Sequence, residues 1–113
     1  MTIVHTVHDT TIVHWWRAHF NTRIRIRRIH LVARQDCCEN RISDNDIFSI
    51  LNDPNTGSSS KILIGNTASV TLVNKAKFLD CDQIADGIIV ESAFTANDGV
   101  LNFAEIYINA EEV

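Results

Sequence analysis

The segment from Trp16 to Arg27 alternates between apolar and polar or basic side chains. Its even positions hold Trp16, Ala18, Phe20, Ile24 and Ile26, and its odd positions hold Arg17, His19, Asn21, Arg23, Arg25 and Arg27. A period of two is typical of a half-buried β-strand, because successive side chains point to opposite faces of the sheet. A helix would distribute the arginines around its whole circumference. The segment therefore predicts extended chain with one dry face and one arginine-bearing face.

Two breaks in this pattern predict local changes of backbone direction. Asn21, Thr22 and Arg23 favour a turn, so we expect a hairpin in which Phe20 lies opposite Ile24. The doublet Arg27–Arg28 shifts the apolar phase to Ile29, Leu31 and Ala33. One extra residue there, a β-bulge, would keep both apolar sets on one face. The alternative is that the strand ends at Arg28 and a second element begins.

A short helix is predicted over about 43–52. Ser43 has the character of an N-cap, and Asp46 three residues later completes the acidic half of a capping box. Apolar residues at 47, 48, 50 and 51 follow at helical spacing. Pro54 then ends the helix, because the residue before a proline avoids the helical region.

The second half of the chain predicts further strands. Short candidates at 61–64, 69–73 and 76–79 are followed by an acidic loop over 80–87. Two longer apolar runs, 88–96 and 100–110, are joined by Asn97–Asp98–Gly99, a strong hairpin signal. This pairing would place Val90 opposite Tyr107. Both faces of the hairpin are apolar, which predicts a central position in a sheet or a subunit interface.

These elements predict a single domain over residues 1–113 with a mainly β fold. We expect an antiparallel curved sheet or small barrel with the one short helix at about 43–52. The alternative is an α+β cup in which an N-terminal helix at about 10–21 packs on the sheet. That segment stays open because TIVH occurs at 2–5 and again at 11–14, which favours a strand pair, while Ile12, Trp16 and Phe20 are also spaced for a helix.

Charge is distributed unevenly along the chain. Residues 1–41 carry seven arginines against three carboxylates, and residues 42–113 carry three lysines against eleven carboxylates. We interpret this as basic and acidic strands facing each other, within the fold or across a subunit contact. Arginines on one strand face could also bind nucleic acid, but the acidic pI of about 5.6 argues against that partner.

Several functional classes receive no support from the sequence. The three cysteines include a vicinal pair and no Cys-x-x-Cys motif, and the five histidines do not converge with carboxylates, so we expect no metal and no cofactor. No catalytic residues can be assigned, because the chain lacks nucleophile and phosphate-binding motifs. No apolar run reaches the length of a membrane span, and the N-terminus does not resemble a secretion signal. We therefore expect a soluble cytoplasmic protein without membrane partners.

The preferred hypothesis is a small homo-oligomeric binding protein that encloses a modest anionic or partly apolar ligand. Aromatic side chains would supply the wall and arginines the charge, which gives as candidate ligand-binding residues Trp16, Arg25, Arg27, Phe94, Phe103 and Tyr107. The alternatives are a cofactor-free hydrolase or isomerase in a small cup-shaped fold, and nucleic-acid binding through the arginine-rich strand.

Overall fold

The computed structural model describes residues 4–5, 15–33, 45–69, 73, 75–92, 102–103 and 105–113. These residues form strands β1 (Val4–His5), β2 (Trp15–Val32), β3 (Asn45–Asn52), β4 (Ser59–Asn66), β5 (Ala76–Ser92), β6 (Asn102–Phe103) and β7 (Glu105–Glu112), with one 3-10 turn at Thr67–Ser69. Five strands make an antiparallel sheet in the order β4-β3-β5-β2-β7, and β1 pairs with β6. The mainly β, antiparallel prediction is confirmed, and the sheet is open rather than closed into a barrel.

Strand β2 is the longest element and runs for 18 residues without reversing. It lies between β5 and β7, and both neighbours are antiparallel to it. The predicted hairpin at Asn21–Thr22–Arg23 is therefore wrong. The ladder with β5 is interrupted after His19, where four residues of β2 lie opposite one residue of β5. The turn-forming residues are accommodated as a local widening of one strand, because β5 supplies a continuous partner on both sides of it.

The β-bulge predicted at Arg27–Arg28 is confirmed. The register of β2 shifts between Ile26 and Arg28 against both β5 and β7. As a result Ile26 and Ile29, although separated by an odd number of positions, are both fully buried. The bulge thus returns the second apolar set of β2 to the core.

The helix predicted at 43–52 is wrong, because Asn45–Asn52 is strand β3. This strand is hydrogen-bonded to β4 and β5 along its two edges, and residues on both of its faces are buried. Ile47 and Ile50 are buried on opposite faces of it. Apolar residues at i, i+1, i+3 and i+4 fit a helix, but they also fit an interior strand that is buried on both faces. Here the segment is a strand because it pairs with β4 and β5.

Two further predictions about the second half are wrong. The acidic segment 80–87 is not a loop but part of the continuous strand β5. The predicted pairing of Val90 with Tyr107 also fails, because β2 lies between β5 and β7. Val90 pairs with Trp16 and Ile47, whereas Tyr107 pairs with His30. The predicted turn at 97–99 lies outside the described residues.

The alternative N-terminal helix at about 10–21 is contradicted over the part of it that is described, since Trp15 to Asn21 belong to β2. Positions 10–14, including the second TIVH, lie outside the described residues. Within the described chain, no helix is long and apolar enough to cross a bilayer.

The main cluster of buried apolar side chains lies on one face of the five-stranded sheet. Its fully buried members come from three adjacent strands and include Ile26, Ile29, Leu31, Ile47, Ile88 and Val90. Trp16, Phe20, Ile106 and Ile108 are partly buried and pack against this cluster. We call this the inner face, and the side chains that alternate with it form the outer face.

We predict that Gly87→Ala destabilises the fold by about 1–3 kcal/mol, the usual cost of overpacking a tight interior. A Cβ at Gly87 would lie 2.8 Å from the carbonyl oxygen of Ala18, which is backbone of the paired strand β2. That oxygen cannot move without shifting the ladder. The measurement is the urea midpoint of unfolding.

Gly65→Ala is the matched control. There the added Cβ would meet Cδ2 of Leu79 at 2.7 Å, the end of a side chain that can change rotamer. We expect a loss below about 1 kcal/mol. If Gly65→Ala proves equally or more damaging, the close approach of β2 and β5 at Gly87 is not as described.

Candidate functional site

The outer face carries three zones along β2 and β5, which differ in the type of side chain they contain. Its middle is occupied by charged residues of opposite sign, and each end carries aromatic side chains. One end is built around Trp15 at the start of β2, and the other around His30 near its end. These zones follow directly from the alternation of β2, because the bulge keeps Arg28 and His30 on the outer face after it turns Ile29 inward.

The middle zone is an ion-pair ladder, formed by Arg25, Arg27 and Arg28 with Asp80, Asp82 and Glu111. Nη1 of Arg25 lies 2.8 Å from Oδ1 of Asp82. Arg27 bridges two strands, at 3.4 Å from Asp82 on β5 and 2.7 Å from Glu111 on β7. Nε of Arg28 donates to Oδ1 of Asp80 at 2.6 Å. Basic and acidic strands therefore face each other within the fold, as the charge distribution predicts.

These contacts shift the acid–base equilibria of their members. Hydrogen bonds from Arg25 and Arg28 hold the pKa of Asp82 and Asp80, respectively, below the usual 3.8. The same bonds raise the pKa of the two guanidinium groups. Because the carboxylate pKa values are depressed on folding, the stability they contribute is present above their ordinary pKa and is lost as the pH falls through the depressed values. All members are substantially exposed, so each ion pair contributes little to the stability of the fold.

The zone at the His30 end is an aromatic row across three strands. Phe78 of β5 and Tyr107 of β7 are the direct cross-strand partners of His30. The rings of His30 and Phe78 are stacked with centroids 4.0 Å apart, and the ring of Tyr107 is tilted at 5.4 Å from that of His30. The guanidinium carbon of Arg28 lies 5.6 Å from the centre of the Phe78 ring. The row is thus a pre-packed aromatic surface with a cation beside it.

An open cleft of about 440 Å³ lies over this aromatic row. Besides the three rings it is lined by Arg28, Ile108 and Asn109. The Asn109 amide has both donors and an acceptor, and Arg28 has N–H groups beyond the one it gives to Asp80. The cleft therefore combines an apolar floor with hydrogen-bonding groups at its side, which is the usual composition of a small-molecule site.

The Tyr107 hydroxyl is oriented by its neighbour on β7. It donates a hydrogen bond to Oε2 of Glu105. That hydrogen bond, with the negative charge of the carboxylate, raises the pKa of Tyr107 above 10.0. The phenol therefore stays protonated at neutral pH, and its oxygen keeps acceptor capacity toward the cleft.

Two other open clefts lie on the described surface. One, of about 230 Å³, is lined by Trp15, Arg17, Ile89 and Glu91 at the opposite end of the outer face. The other, of about 420 Å³, lies beside the loop between β3 and β4 and is lined mainly by polar groups. There Nη2 of Arg23 donates to the carbonyl of Asn52 at 3.0 Å, which connects the widened part of β2 to the end of β3.

The residues that the sequence singles out for ligand binding are dispersed. Tyr107 lines the cleft over the aromatic row. Arg25 and Arg27 lie next to it in the ion-pair ladder. Trp16 packs against the core on the inner face. The backbone of Phe103 lies in β6, and Phe94 lies outside the described residues.

The other members of the cleft were missed by sequence reasoning. Phe78 and His30 are not near each other in sequence, and only the register of β2 on β5 brings them together. The sequence does contain a signal for His30, because the bulge places it on the arginine-bearing face of β2. The partner strand is not evident from the sequence, because the acidic residues after position 79 predict a loop there.

The described residues contain no cluster of three or more His, Cys, Asp or Glu side chains that could hold a metal ion. Cys81 is a half-buried thiol that donates to the carbonyl of Ile26 at 3.4 Å. Its burial, together with Asp80 and Asp82 on either side, raises the pKa of the thiol. The thiol is therefore protonated at neutral pH and a poor nucleophile.

We predict that Glu105→Gln lowers the pKa of Tyr107 toward 10.0, because the substitution removes the negative charge beside the hydroxyl. Tyr107 is the only tyrosine of the chain, so a spectrophotometric titration of phenolate absorbance reports on it alone. Glu112→Gln, farther along the same strand, is the control and should leave the titration unchanged. Superimposable titrations of the wild type and Glu105→Gln would show that the hydroxyl does not contact Glu105.

Comparison with known proteins gives structural neighbours only. No protein-family model matches the chain, and no curated protein matches its sequence. Among solved structures, a fucose binding module from Streptococcus pneumoniae superposes with a TM-score of 0.63 at 22% identity, over 96% of this chain and 70% of that one. A second S. pneumoniae fucose binding module, SpX-3, gives 0.64 at 18% identity, over 97% and 73%. The lectin domain of lectinolysin, solved with Lewis B antigen, gives 0.63 at 17%, over 95% and 70%. At these identities the similarity shows that this chain has the fold of those modules.

Proposed function

We propose that this chain is a carbohydrate-binding module, and that a saccharide binds in the cleft over the aromatic row. The observation that carries the proposal is the stacked pair of His30 and Phe78, extended by Tyr107 and flanked by Arg28 and Asn109. A pyranose ring has one face of C–H groups and a rim of hydroxyls. The aromatic row suits the first, and the polar side chains suit the second.

The cleft favours a neutral sugar over an anionic one. The arginines nearest to it already have carboxylate partners, since Arg25, Arg27 and Arg28 pair with Asp82, Glu111 and Asp80. An anionic ligand, as predicted from Arg25 and Arg27, would be repelled by the carboxylates of Asp80, Asp82 and Glu111 beside these arginines. A neutral hydroxyl can instead accept from a guanidinium N–H without breaking an ion pair.

The structural neighbours support the same class of ligand. Two are fucose binding modules and the third is a lectin domain solved with the Lewis B antigen. Because they share the fold at low identity, they indicate the ligand class to test first and not its identity. Fucosylated oligosaccharides are therefore the first probes. Self-association and a cytoplasmic location, both expected from the sequence, stay predictions.

We predict that Tyr107→Ala weakens saccharide binding about tenfold, because it removes an exposed ring of the aromatic row. The measurement is titration calorimetry with fucosyllactose, and with methyl glycosides of galactose, glucose and mannose. Tyr107 is half-exposed, so the variant should fold, and far-ultraviolet circular dichroism checks that it does.

Tyr107→Phe is the matched control, since it keeps the ring and loses only the hydroxyl. It should bind within about threefold of the wild type if ring contact dominates. Wild-type binding that Tyr107→Ala leaves unchanged would remove the cleft from the proposal. Absence of binding to every sugar in the panel would contradict the proposed function itself.

A further inference from the structure

We propose a second saccharide-binding site at the opposite end of the outer face, built on Trp15, Arg17 and Glu91. The class of ligand is taken from the proposed function, on which this inference rests, whereas the location is argued from a separate set of residues. The cleft of about 230 Å³ at this end is lined by these three side chains and Ile89.

Trp15 is available for a ligand in a way that its neighbour is not. Its side chain is on the outer face and is 63% exposed, whereas Trp16 points inward and packs against the core. An indole exposed to that degree leaves a large apolar surface in water. Such a surface at the side of an open cleft suits the C–H face of a pyranose.

Glu91 supplies a fixed acceptor directly across from the indole. It is the cross-strand partner of Trp15, and its side chain is only 22% exposed. Nζ of Lys61, reaching from β4, donates to Oε1 of Glu91 at 2.6 Å and also lies 4.2 Å from the centre of the Phe48 ring. The carboxylate is thereby held in place, and its remaining lone pairs can accept from sugar hydroxyls.

Arg17 supplies the donors. It follows Trp15 by two positions on the outer face and is paired across the sheet with Ile89. Its Nη2 donates to Nε2 of His19 at 2.8 Å, which orients the guanidinium. Among the residues that the structure describes, Arg17 forms no ion pair with a carboxylate, unlike Arg25, Arg27 and Arg28. Its other N–H groups can therefore bind a hydroxyl or ring oxygen.

The two sites are too far apart to be one. Glu91 and Phe78 are thirteen positions apart on β5. The ion-pair ladder lies between them. A single small oligosaccharide thus occupies one site at a time, whereas a surface carrying many glycans can engage both on the same molecule and gain avidity.

The test uses the whole chain with two binding readouts, and sedimentation velocity at several concentrations measures self-association. Titration calorimetry with fucosyllactose and the methyl glycosides gives the number of sites. Binding to a surface densely coated with the same sugars gives the avidity. We expect two sites in the wild type and one in Trp15→Ala, with surface binding reduced more than tenfold.

Trp15→Phe, which keeps an aromatic face, should retain both sites. Glu91→Gln should weaken the Trp15 site and leave the affinity of the other unchanged.

The outcomes separate this proposal from the proposed function. A single site that is weakened in Tyr107→Ala and unchanged in Trp15→Ala would overturn the second site and leave the proposed function intact. Loss of binding in Trp15→Ala alone, with Tyr107→Ala unaffected, would support the Trp15 site and overturn the cleft over the aromatic row. If Trp15→Ala abolishes concentration-dependent association in sedimentation while saccharide binding stays unchanged, the surface is a contact between copies and the proposal fails.

Discussion

The structure depends on strand β2 remaining extended between two antiparallel neighbours. β5 pairs with β2 along most of its length and β7 pairs with its second half, from Ile24 to Val32. The inner face of β2 supplies Ile26, Ile29 and Leu31 to the core. A strand held in this way must present its alternate residues on the other face of the sheet. The arginines, the histidine and the tryptophan of the outer face are therefore positioned by the burial of the residues between them.

The bulge at Arg27–Arg28 determines what the outer face can contain. Without the shift in register, Ile29 and Leu31 would be exposed, and Arg28 and His30 would point into the core. With it, His30 is placed between Phe78 and Tyr107, and Arg28 opposite Asp80. One additional residue thus links the packing of the core to the assembly of the aromatic row.

Much of this organisation could be predicted from the sequence, and the reasons for the failures are physical. Three features could be predicted because each is a local pattern or a charge balance: the alternation of β2, its bulge, and the pairing of basic with acidic strands. The prediction of a helix at 43–52 is wrong because a strand that is buried on both faces does not alternate between apolar and polar residues, so its period of two is not visible in the sequence. The loop predicted at 80–87 failed because Asp80 and Asp82 are polar for a non-local reason, their pairing with arginines of β2.

The candidate site was only partly predictable for the same reason. Tyr107 could be picked out as an aromatic residue on an apolar run, but its neighbours come from β5 and β2, at sequence distances that no local pattern encodes. Arg25 and Arg27 are predicted from their charge alone, and the sequence does not show that each is ion-paired, with Asp82 and Glu111 respectively. The residues that line the cleft come together only because β5, β2 and β7 are adjacent in the sheet, and the order of strands cannot be predicted from local sequence patterns.

The most direct test of the account is a two-dimensional amide and side-chain NMR titration of the whole chain with fucosyllactose, which reports binding residue by residue. The account predicts shift changes on the outer face, at His30, Phe78, Tyr107 and the indole of Trp15, with separate saturation at the two ends. Saturable changes confined to residues away from the outer face, with these four signals unmoved, would contradict it.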